Sequence, residues 1–414
     1  MRVLVVSCVF PPEPVISSQT SAQIAQALVE RGHTVTVITA FPNRPAGQLY
    51  PGYTRRLFAR EQAQEGFGLL RCFSSLSPKS RLVSRFMENF SFGLTSSVAA
   101  LLSQRPDVIY SNSWPIFATG LLFIVAKARR IPLVVSVQDI YPESLVLQKR
   151  ALTKNRLAGW LSRLDGIIAR GSRAVIVISD RFADFYRGER RVPPERVHVI
   201  PNWGDGRAVR ADAEQVTQFR KAMGIPLDAR VFAYGGNIGL AAGVETLILA
   251  APYLKEASQF RLLIAGEGSQ LSVCQRLARD LDDGRVLFHT PWRSEDTGLL
   301  LGLAEVLLLP TRGQQSKVSV PSKLISYWLA GRPVIALAWP QSDLADFMKQ
   351  SGGGWLVEPD RPDLLAAKIR EVMSLSPAEL RRRGEAGRGF AARNLIREIC
   401  LPYLVAVLER AGAK

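Results

Sequence analysis

Residues 321–336 combine the side chains and spacing of an anion site. Pro321 suits the first turn of a helix, and Ser322 and Lys323 follow it, where the unpaired N–H groups of a helix N-terminus converge. These N–H groups and the helix dipole attract negative charge, and the ammonium of Lys323 adds a full positive charge. The combination is typical of a site that holds a diphosphate.

Two glycine-containing turns in the second half of the chain offer further positions around such an anion. Residues 235–239 follow a predicted strand, and glycine there lets the backbone approach a phosphate or a sugar closely. Residues 266–268 end another strand and could line a nucleotide, although a plain turn fits them equally well. The candidate donor-binding residues are Gly236, Asn237, Gly266, Glu267, Arg312, Lys317, Ser322 and Lys323.

Carboxylates in the first half lie where ligands gather in an open α/β sheet. Asp139 and Glu143 come just after a predicted strand at 133–137, so both are candidate catalytic residues. A carboxylate there could orient an acceptor hydroxyl or accept its proton, whereas a helix cap is the alternative role for Asp139. The first strand-to-helix loop adds three acceptor-side candidates, Glu13, Ser17 and Ser18.

Buried-strand patterns alternate with helical patterns along the chain in two rounds. The strands are predicted at 3–7, 34–39, 108–110, 133–137, 174–178 and 197–200, and then at 231–234, 261–265, 286–288, 306–309 and 333–336. Such alternation predicts parallel sheets covered on both faces, and two rounds predict two doubly wound α/β domains. Turn formers at 201–206 divide the domains into 1–203 and 204–397, and helices broken near Pro402 are expected in 376–414.

Hydrophobic spacing predicts the helix that would carry Lys323. Gly331 is placed to end this helix, and a buried strand is expected to begin at Pro333. The apolar residues that fall on one face of it are Leu324, Ile325, Trp328 and Leu329. The lysine is therefore expected at the start of a helix that is anchored in the core.

Charge and cysteine content narrow the function classes. The 414 residues carry a net charge of +17; residues 1–200 hold 26 Lys and Arg against 13 Asp and Glu, so the basic character belongs to the first half. An anionic membrane surface or an anionic lipid-linked substrate is the favoured reason, with a solvated basic surface as the alternative. No nucleic-acid motif is recognised. The 4 cysteines are scattered and the 3 histidines do not cluster, so neither a disulfide framework nor a metal site is expected.

Two segments of the first half fit a plain doubly wound pattern poorly. Residues 47–105 are rich in arginine, phenylalanine and serine, and a basic-aromatic surface around Arg85 is one interpretation. Residues 146–173 have the pattern of a basic amphipathic helix around Trp160. Core-facing helices with solvated basic faces are the alternative for both. No signal peptide and no transmembrane span is predicted, so a cytoplasmic protein at the inner face of the membrane is expected.

Several motifs in a fixed order resemble those of family-4 retaining glycosyltransferases. The resemblance implies their GT-B fold, in which two Rossmann-like domains face a cleft. The Pro-Ser-Lys form at 321–323 is similar to the bacterial subgroup that builds O-antigen and capsule sugars, including L-fucosamine transferases. The resemblance covers most of the chain. Its other landmarks are at 3–7, 10–13, 32–38, 134–144, 199–203, 234–239 and 263–268.

The resemblance implies an enzyme that moves a hexosyl or N-acetylhexosaminyl group from a nucleotide sugar, expected to be UDP-linked, to a lipid-linked saccharide. It further implies retention of anomeric configuration, no metal or other cofactor, and a final helix from about 398 to 414 that returns to the first domain. Two alternatives stay open: a nucleotide-sugar 2-epimerase, and a non-catalytic partner subunit of a polysaccharide assembly complex.

The chain departs from the family pattern at the positions of several charged residues. Asn237 and Ala242 stand where an arginine and a lysine are usual, so Lys323 is expected to carry more of the charge neutralisation. Val318 and Ser326 replace the paired glutamates, one of which normally binds the ribose. These changes are interpreted as subgroup character, with loss of activity as the alternative.

Overall fold

A computed structural model describes the chain except for residues 45, 63–65, 78–81, 144–155, 207–210, 282–283, 314–321 and 414, and except for the side chains of 16, 62, 82, 156, 157 and 294. The described chain forms two compact units, residues 1–201 with 400–414 and residues 202–399. Sequence had placed the division at 203. Each unit is a doubly wound α/β domain, as predicted.

The first unit is built on an eight-stranded sheet whose central strands are mostly buried. Its strands, in chain order, are β1 Arg2–Val6, β2 Thr34–Ala40, β3 Phe58–Gln62, β4 Gly68–Cys72, β5 Val108–Asn112, β6 Leu133–Val137, β7 Ala174–Val177 and β8 Val197–Val199. Its helices are α1 Ile16–Glu30, α2 Leu82–Leu102, α3 Ile116–Ala128, α4 Arg156–Gly171 and α5 Asp180–Gly188. A 3₁₀ turn spans Pro194–Arg196.

The spatial order of this sheet is β3-β4-β2-β1-β5-β6-β7-β8, with only β3 antiparallel to its neighbour among the described strands. The chain leaves β1 toward β2 on one side and later returns to β5 on the other side of β1. The carboxyl ends of β1 and β5 therefore flank a topological switch point, where open α/β sheets bind ligands.

The second unit is built on a six-stranded parallel sheet of order β11-β10-β9-β12-β13-β14. Its strands are β9 Arg230–Gly235, β10 Phe260–Ala265, β11 Val286–His289, β12 Val306–Leu309, β13 Val334–Leu337 and β14 Gly354–Val357. Its helices are α6 Ala213–Ala222, α7 Glu245–Ala250, α8 Leu271–Asp280, α9 Thr297–Leu303, α10 Lys323–Leu329, α11 Asp343–Ser351, α12 Pro362–Met373 and α13 Pro377–Asn394. Short 3₁₀ turns span Leu240–Ala242, Ala251–Leu254 and Ser294–Asp296.

The last helix, α14 (Arg397–Gly412), begins in the second unit and packs in the first from Cys400 onward. A break near Pro402 was expected, and this expectation was wrong, because Pro402 lies inside the continuous helix. The interruption instead falls between Asn394 and Arg397. Pro402 is the sixth residue of this helix, beyond its first turn, so the helix continues although one i→i−4 hydrogen bond is lost there. Among the described helices, none is long and apolar enough to cross a membrane.

Candidate functional site

Lys323 of the second unit lies directly against Gly236. A Cβ added to Gly236 would sit 2.1 Å from Cε of Lys323 and 3.0 Å from its Nζ, so the lysine fills the space that a side chain at 236 would need. The ammonium also lies 5.5 Å from the centroid of the Tyr234 ring. Desolvation by burial lowers the pKa of Lys323, and among the described side chains no carboxylate pairs with it. An incoming anion would supply the missing counter-charge.

The two predicted glycine turns pack on each other at the carboxyl ends of β9 and β10. Gly266 has φ +153°, and a Cβ on it would approach the Gly236 carbonyl oxygen to 1.9 Å. The N–H of Ile238 donates to the carbonyl of Glu267 at 2.7 Å, and the N–H of Gly236 donates to that of Ala265 at 2.8 Å. Glycine is therefore required at 266 to let the turns touch. Predicted donor-side residues from both turns are thus brought together.

Helix α10 is held in place by its buried aromatic residues. The hydroxyl of Tyr327 accepts from the N–H of Gly235 at 3.0 Å and lies 3.2 Å from the Gly235 carbonyl, to which it donates. Trp328 is fully buried and donates from its indole N–H to the Gly353 carbonyl at 3.1 Å. Gly331 follows the helix with φ +71° and ends it, as predicted. The helix thereby fixes Lys323 relative to the glycine turns.

The remaining donor-side candidates lie around the two glycine turns or outside the described residues. Asn237 and Glu267 are exposed beside the two turns. Arg312 pairs with Glu245 at 3.0 Å, and its N–H donates to the Ala241 carbonyl, so it flanks the end of the loop after Gly239. Ser322 has a helical backbone and makes no side-chain cap bond. Lys317 and Val318 lie outside the described residues.

Ser326, which replaces one of the family's glutamates, points its hydroxyl back to its own helix. Its Oγ donates to the Lys323 carbonyl at 3.0 Å. The hydroxyl is therefore engaged in the helix, and any ribose contact at this position would need a different group.

A cavity of about 260 Å³ opens at the switch point of the first unit. Asn112, at the end of β5, donates from Nδ2 to the hydroxyls of Ser7 at 3.1 Å and Ser21 at 3.4 Å, which joins the ends of β1 and β5 to α1. The lining residues are Ser7, Cys8, Val9, Val15, Ser17, Arg44, Asn112, Ser113, Trp114, Ser136, Gln138 and Asp139. Two predicted residues, Asp139 and Ser17, therefore line one cavity.

Asp139 stands at the rim of this cavity, just after β6. Although the residue is exposed to solvent, desolvation by the surrounding protein raises the pKa of its carboxyl to about 6. Among the described residues, no N–H group donates to the Asp139 side chain, so Asp139 makes no helix-capping hydrogen bond to them. A carboxylate with this pKa can accept a proton near neutral pH.

Glu143 does not line the cavity and is held in an ion-pair network. Both its carboxylate oxygens accept from Nη2 of Arg190, at 2.7 and 2.8 Å. Arg190 also pairs through Nε with Asp165 at 2.7 Å, and Tyr186 donates to the same aspartate at 3.1 Å. Burial is the main cause that raises the pKa of Asp165 to about 6, against the lowering effect of Arg190. The carboxylate of Glu143 therefore ties the loop after β6 to α4 through Ser162 and to the segment after α5 through Arg190, while its predicted catalytic role stays a prediction.

Glu13 binds backbone rather than presenting a free carboxylate. It accepts from the N–H groups of Phe10 at 3.1 Å, Asn43 at 2.9 Å and Arg44 at 2.8 Å, and is 2% exposed. It therefore joins the loops after β1 and β2. Ser18 is fully buried, and its hydroxyl has no hydrogen-bond partner among the described atoms.

Arg44 is a cavity residue that sequence reasoning missed. Its guanidinium donates to Glu88 of α2 at 2.8 Å and lies 5.8 Å from the Trp114 ring. Glu88 is buried, and burial raises its pKa above the ordinary value. Little in the sequence indicated a role for Arg44, because it lies in an irregular loop with no periodicity and its partner Glu88 is 44 residues away. Among described residues, no group of three potential metal ligands is found.

Comparisons with known families cover both units. The family model described as a glycosyl transferase 4-like domain matches residues 17–203. The one described as glycosyl transferases group 1 matches residues 229–374. The first matched segment contains most of the residues that line the cavity of the first unit, from Ser17 to Asp139, and the second contains the glycine turns and Lys323.

Relatives matched over most of their length agree with these family matches. A glycosyl transferase named for colanic acid biosynthesis (WcaI) from Escherichia coli K12 is 24% identical over 96% of this chain and 98% of its own length. The glycosyltransferase WbjE of Pseudomonas aeruginosa is 26% identical over 73% and 76%. The crystal structure of Anabaena HepE in complex with UDP superposes with a TM-score of 0.71, at 14% identity over 99% and 100% of the two chains. The superposition with HepE shows that the two chains share a fold.

Proposed function

We propose that this chain, which belongs to the GT-B glycosyltransferases, transfers a hexosyl or N-acetylhexosaminyl group from a UDP-linked sugar to a lipid-linked saccharide, with retention of configuration. The single observation that carries the proposal is the half-buried ammonium of Lys323 against Gly236. It supplies a cation without a described counter-ion beside a backbone that a phosphate can approach.

The chemistry requires stabilisation of the leaving group. As the bond between the sugar C1 and the diphosphate oxygen breaks, its electron pair leaves with the diphosphate. The ammonium of Lys323 would bind the negative charge that develops on this leaving group. A new bond forms between C1 and the acceptor oxygen. The acceptor proton goes to the carboxylate of Asp139, which the first unit contributes to acceptor handling.

The relatives favour a role in cell-surface polysaccharide biosynthesis. WcaI is named for colanic acid, and HepE was solved with UDP, which supports a UDP-linked donor for this chain. The family resemblance implies a lipid-linked saccharide acceptor, so we place the acceptor at the inner face of an anionic membrane. Because residues 321–323 have the Pro-Ser-Lys form, the proposal assigns the chain to the subgroup that builds O-antigen and capsule sugars.

Thermal unfolding in the presence of nucleotides tests the donor part directly. A ligand at a hundred times its dissociation constant stabilises the folded state by about 2.7 kcal/mol, so UDP should raise the melting temperature more than GDP, ADP or CDP at equal concentration. Absence of a shift with every nucleoside diphosphate would overturn the donor site.

Product analysis separates the transferase from its alternatives. With a UDP-sugar and a lipid-linked saccharide extract, a transferase releases UDP only when the acceptor is present. Conversion of the UDP-sugar into its 2-epimer without acceptor would indicate an epimerase, and binding without any turnover would indicate a partner subunit.

A further inference from the structure

Helix α2 of the first unit exposes an apolar face with no polar interruption. Every exposed residue of this helix with a described side chain is apolar. These residues, which we call the apolar ridge, are Val83, Phe86, Met87, Phe90, Leu94, Val98, Leu101 and Leu102. At about 1.5 Å per residue the ridge runs for roughly 28 Å. A surface helix normally presents the opposite pattern, so this face indicates an interaction surface.

The exposed apolar surface continues across the two neighbouring helices. Phe117 of α3 contacts Phe86 of the ridge, with ring centroids 5.0 Å apart, and Trp160 of α4, with centroids 6.1 Å apart. Trp160 is 51% exposed, and Ile167, two turns further along α4, is 52% exposed. The ridge and these side chains therefore belong to one continuous surface of the first unit.

The charges on these three helices are all of one sign where they meet solvent. The only acidic residues of α2, α3 and α4 are Glu88 and Asp165, and both are buried in ion pairs with arginines, at 2.8 and 2.7 Å. The exposed charged side chains described on α3 and α4 are Lys127, Arg163 and Arg170. The surface thus combines apolar area with positive charge.

We infer that the apolar ridge lies in the headgroup and acyl boundary of an anionic bilayer, with Lys127, Arg163 and Arg170 near the lipid phosphates. An amphipathic helix with an apolar face and flanking cations binds such an interface. A second copy of the chain fits less well, because a two-fold contact would bring cations toward cations with no exposed carboxylate on these helices to pair with them. The inference rests on the proposed function only in that a lipid-linked acceptor lies in the same bilayer.

Vesicle flotation with a ridge variant tests the surface. Met87, Leu94 and Leu101 are each about half exposed and seven residues apart, so Met87→Gln, Leu94→Gln and Leu101→Gln together remove apolar area with little change to the core. The wild-type chain should float with vesicles of phosphatidylcholine and phosphatidylglycerol. The triple variant should lose about a hundredfold in partition coefficient, since several partly buried apolar side chains are removed. The control, Leu227→Gln with Val273→Gln, removes exposed apolar residues of the second unit and should float like wild type.

An introduced thiol gives a second measurement that does not depend on a weakened variant. The four native cysteines are all buried, so Leu94→Cys can be labelled selectively with an environment-sensitive fluorophore. Its emission should shift to the blue on addition of anionic vesicles, whereas a label at Val273→Cys should not respond. An unresponsive label at position 94 on vesicle-bound protein would overturn the inference.

Flotation and sedimentation can each contradict the membrane inference. If the wild-type chain stays out of the vesicle fraction, or if the triple variant floats normally, the ridge is not a membrane surface. If the wild type sediments as a dimer and the triple variant as a monomer, the ridge is a subunit interface instead. The melting shift with UDP tests the proposed function separately, because it depends on the second unit alone.

Discussion

At the scale of single residues, burial moves the two central ionisable groups toward neutrality. It raises the pKa of Asp139 to about 6 and lowers that of Lys323 from its ordinary value. Each group is therefore less stable in its charged form than it would be in water, and gains most from a partner that stabilises the charged form, as a counter-charge or a hydrogen-bond donor does. A diphosphate at Lys323 and an acceptor hydroxyl at Asp139 would be such partners.

Replacing Lys323 tests its contact with the nucleotide. Lys323→Ala should weaken UDP binding by about 2 kcal/mol, or roughly thirtyfold, which is typical of a charge-assisted contact. Isothermal titration calorimetry measures this. Lys349→Ala removes an exposed lysine of the same unit and should bind UDP as the wild type does. Equal affinity of the Lys323 variant and wild type would remove the lysine from the site.

Replacing Asp139 tests its chemical role. Asp139→Asn keeps the shape and the capping ability of the side chain but cannot accept the proton, so transfer should fall about 10²-fold with unfolding unchanged. Asp184→Asn is a matched control, because the Asp184 side chain is 78% exposed in the same unit. Normal turnover by the Asp139 variant would leave this carboxylate without a part in the reaction.

The raised pKa of Asp139 also predicts the acid limb of the pH profile. A base must be deprotonated, so kcat/KM should decline as the pH falls through about 6, where the carboxyl becomes protonated. The residual activity of Asp139→Asn should lack this limb. Steady-state rates from pH 5 to 8 give both profiles, and the same limb in the variant would assign it to another group.

At the scale of elements, the sequence predicted those parts that local pattern determines. Strand runs predicted the central strands of both sheets but not β14, and helical spacing with Gly331 gave α10 correctly. The β3–β4 hairpin was not predicted, because its strands carry charged residues and pair only with each other and one neighbour. The contacts of Arg44 and Glu143 were not predicted either, since their partners are distant in sequence.

The packing of the glycine turn against α10 yields an element-scale prediction. Gly236→Ala would place a methyl group on the Lys323 side chain and strain a backbone at φ +132°, so UDP affinity should fall at least about tenfold and stability by about 1–3 kcal/mol. Urea unfolding and calorimetry measure the two effects. Gly224→Ala, at φ +65° with no atom within 4 Å, should lower stability only. Unchanged UDP affinity in the Gly236 variant would contradict the close packing.

At the scale of the whole molecule, the sequence located the charge and only part of the exposed apolar area. The net charge of +17 is concentrated in the first 200 residues. A basic-aromatic surface was predicted around Arg85, but the rest of the apolar ridge was not. Its residues have the same helical spacing as a core face, and only the structure shows that they point away from the sheet. Hydrophobic spacing alone does not distinguish these two cases.

Membrane binding by the exposed cations should depend on salt, whereas binding by the apolar ridge should not. Lys127→Glu with Arg163→Glu should weaken binding to anionic vesicles at low salt, since each cation near the surface contributes about 1 kcal/mol. The salt dependence should decrease as well, because screening acts on the charges and not on the apolar ridge. Lys255→Glu with Lys349→Glu, on exposed lysines of the second unit, serves as the control. Wild-type salt dependence in the first variant would show that these cations do not face the lipid.

The shared space of Gly236 and Lys323 has a consequence for divergence of the chain. Because the Cβ of any residue at 236 would overlap the lysine stem, a side chain there is compatible only with a shorter residue or another rotamer at 323. The two positions, 87 apart, should therefore change together in descendants of this sequence. A descendant that gained a side chain at 236 would have to obtain its diphosphate cation from elsewhere, so a new lysine or arginine near the glycine turns should accompany that replacement.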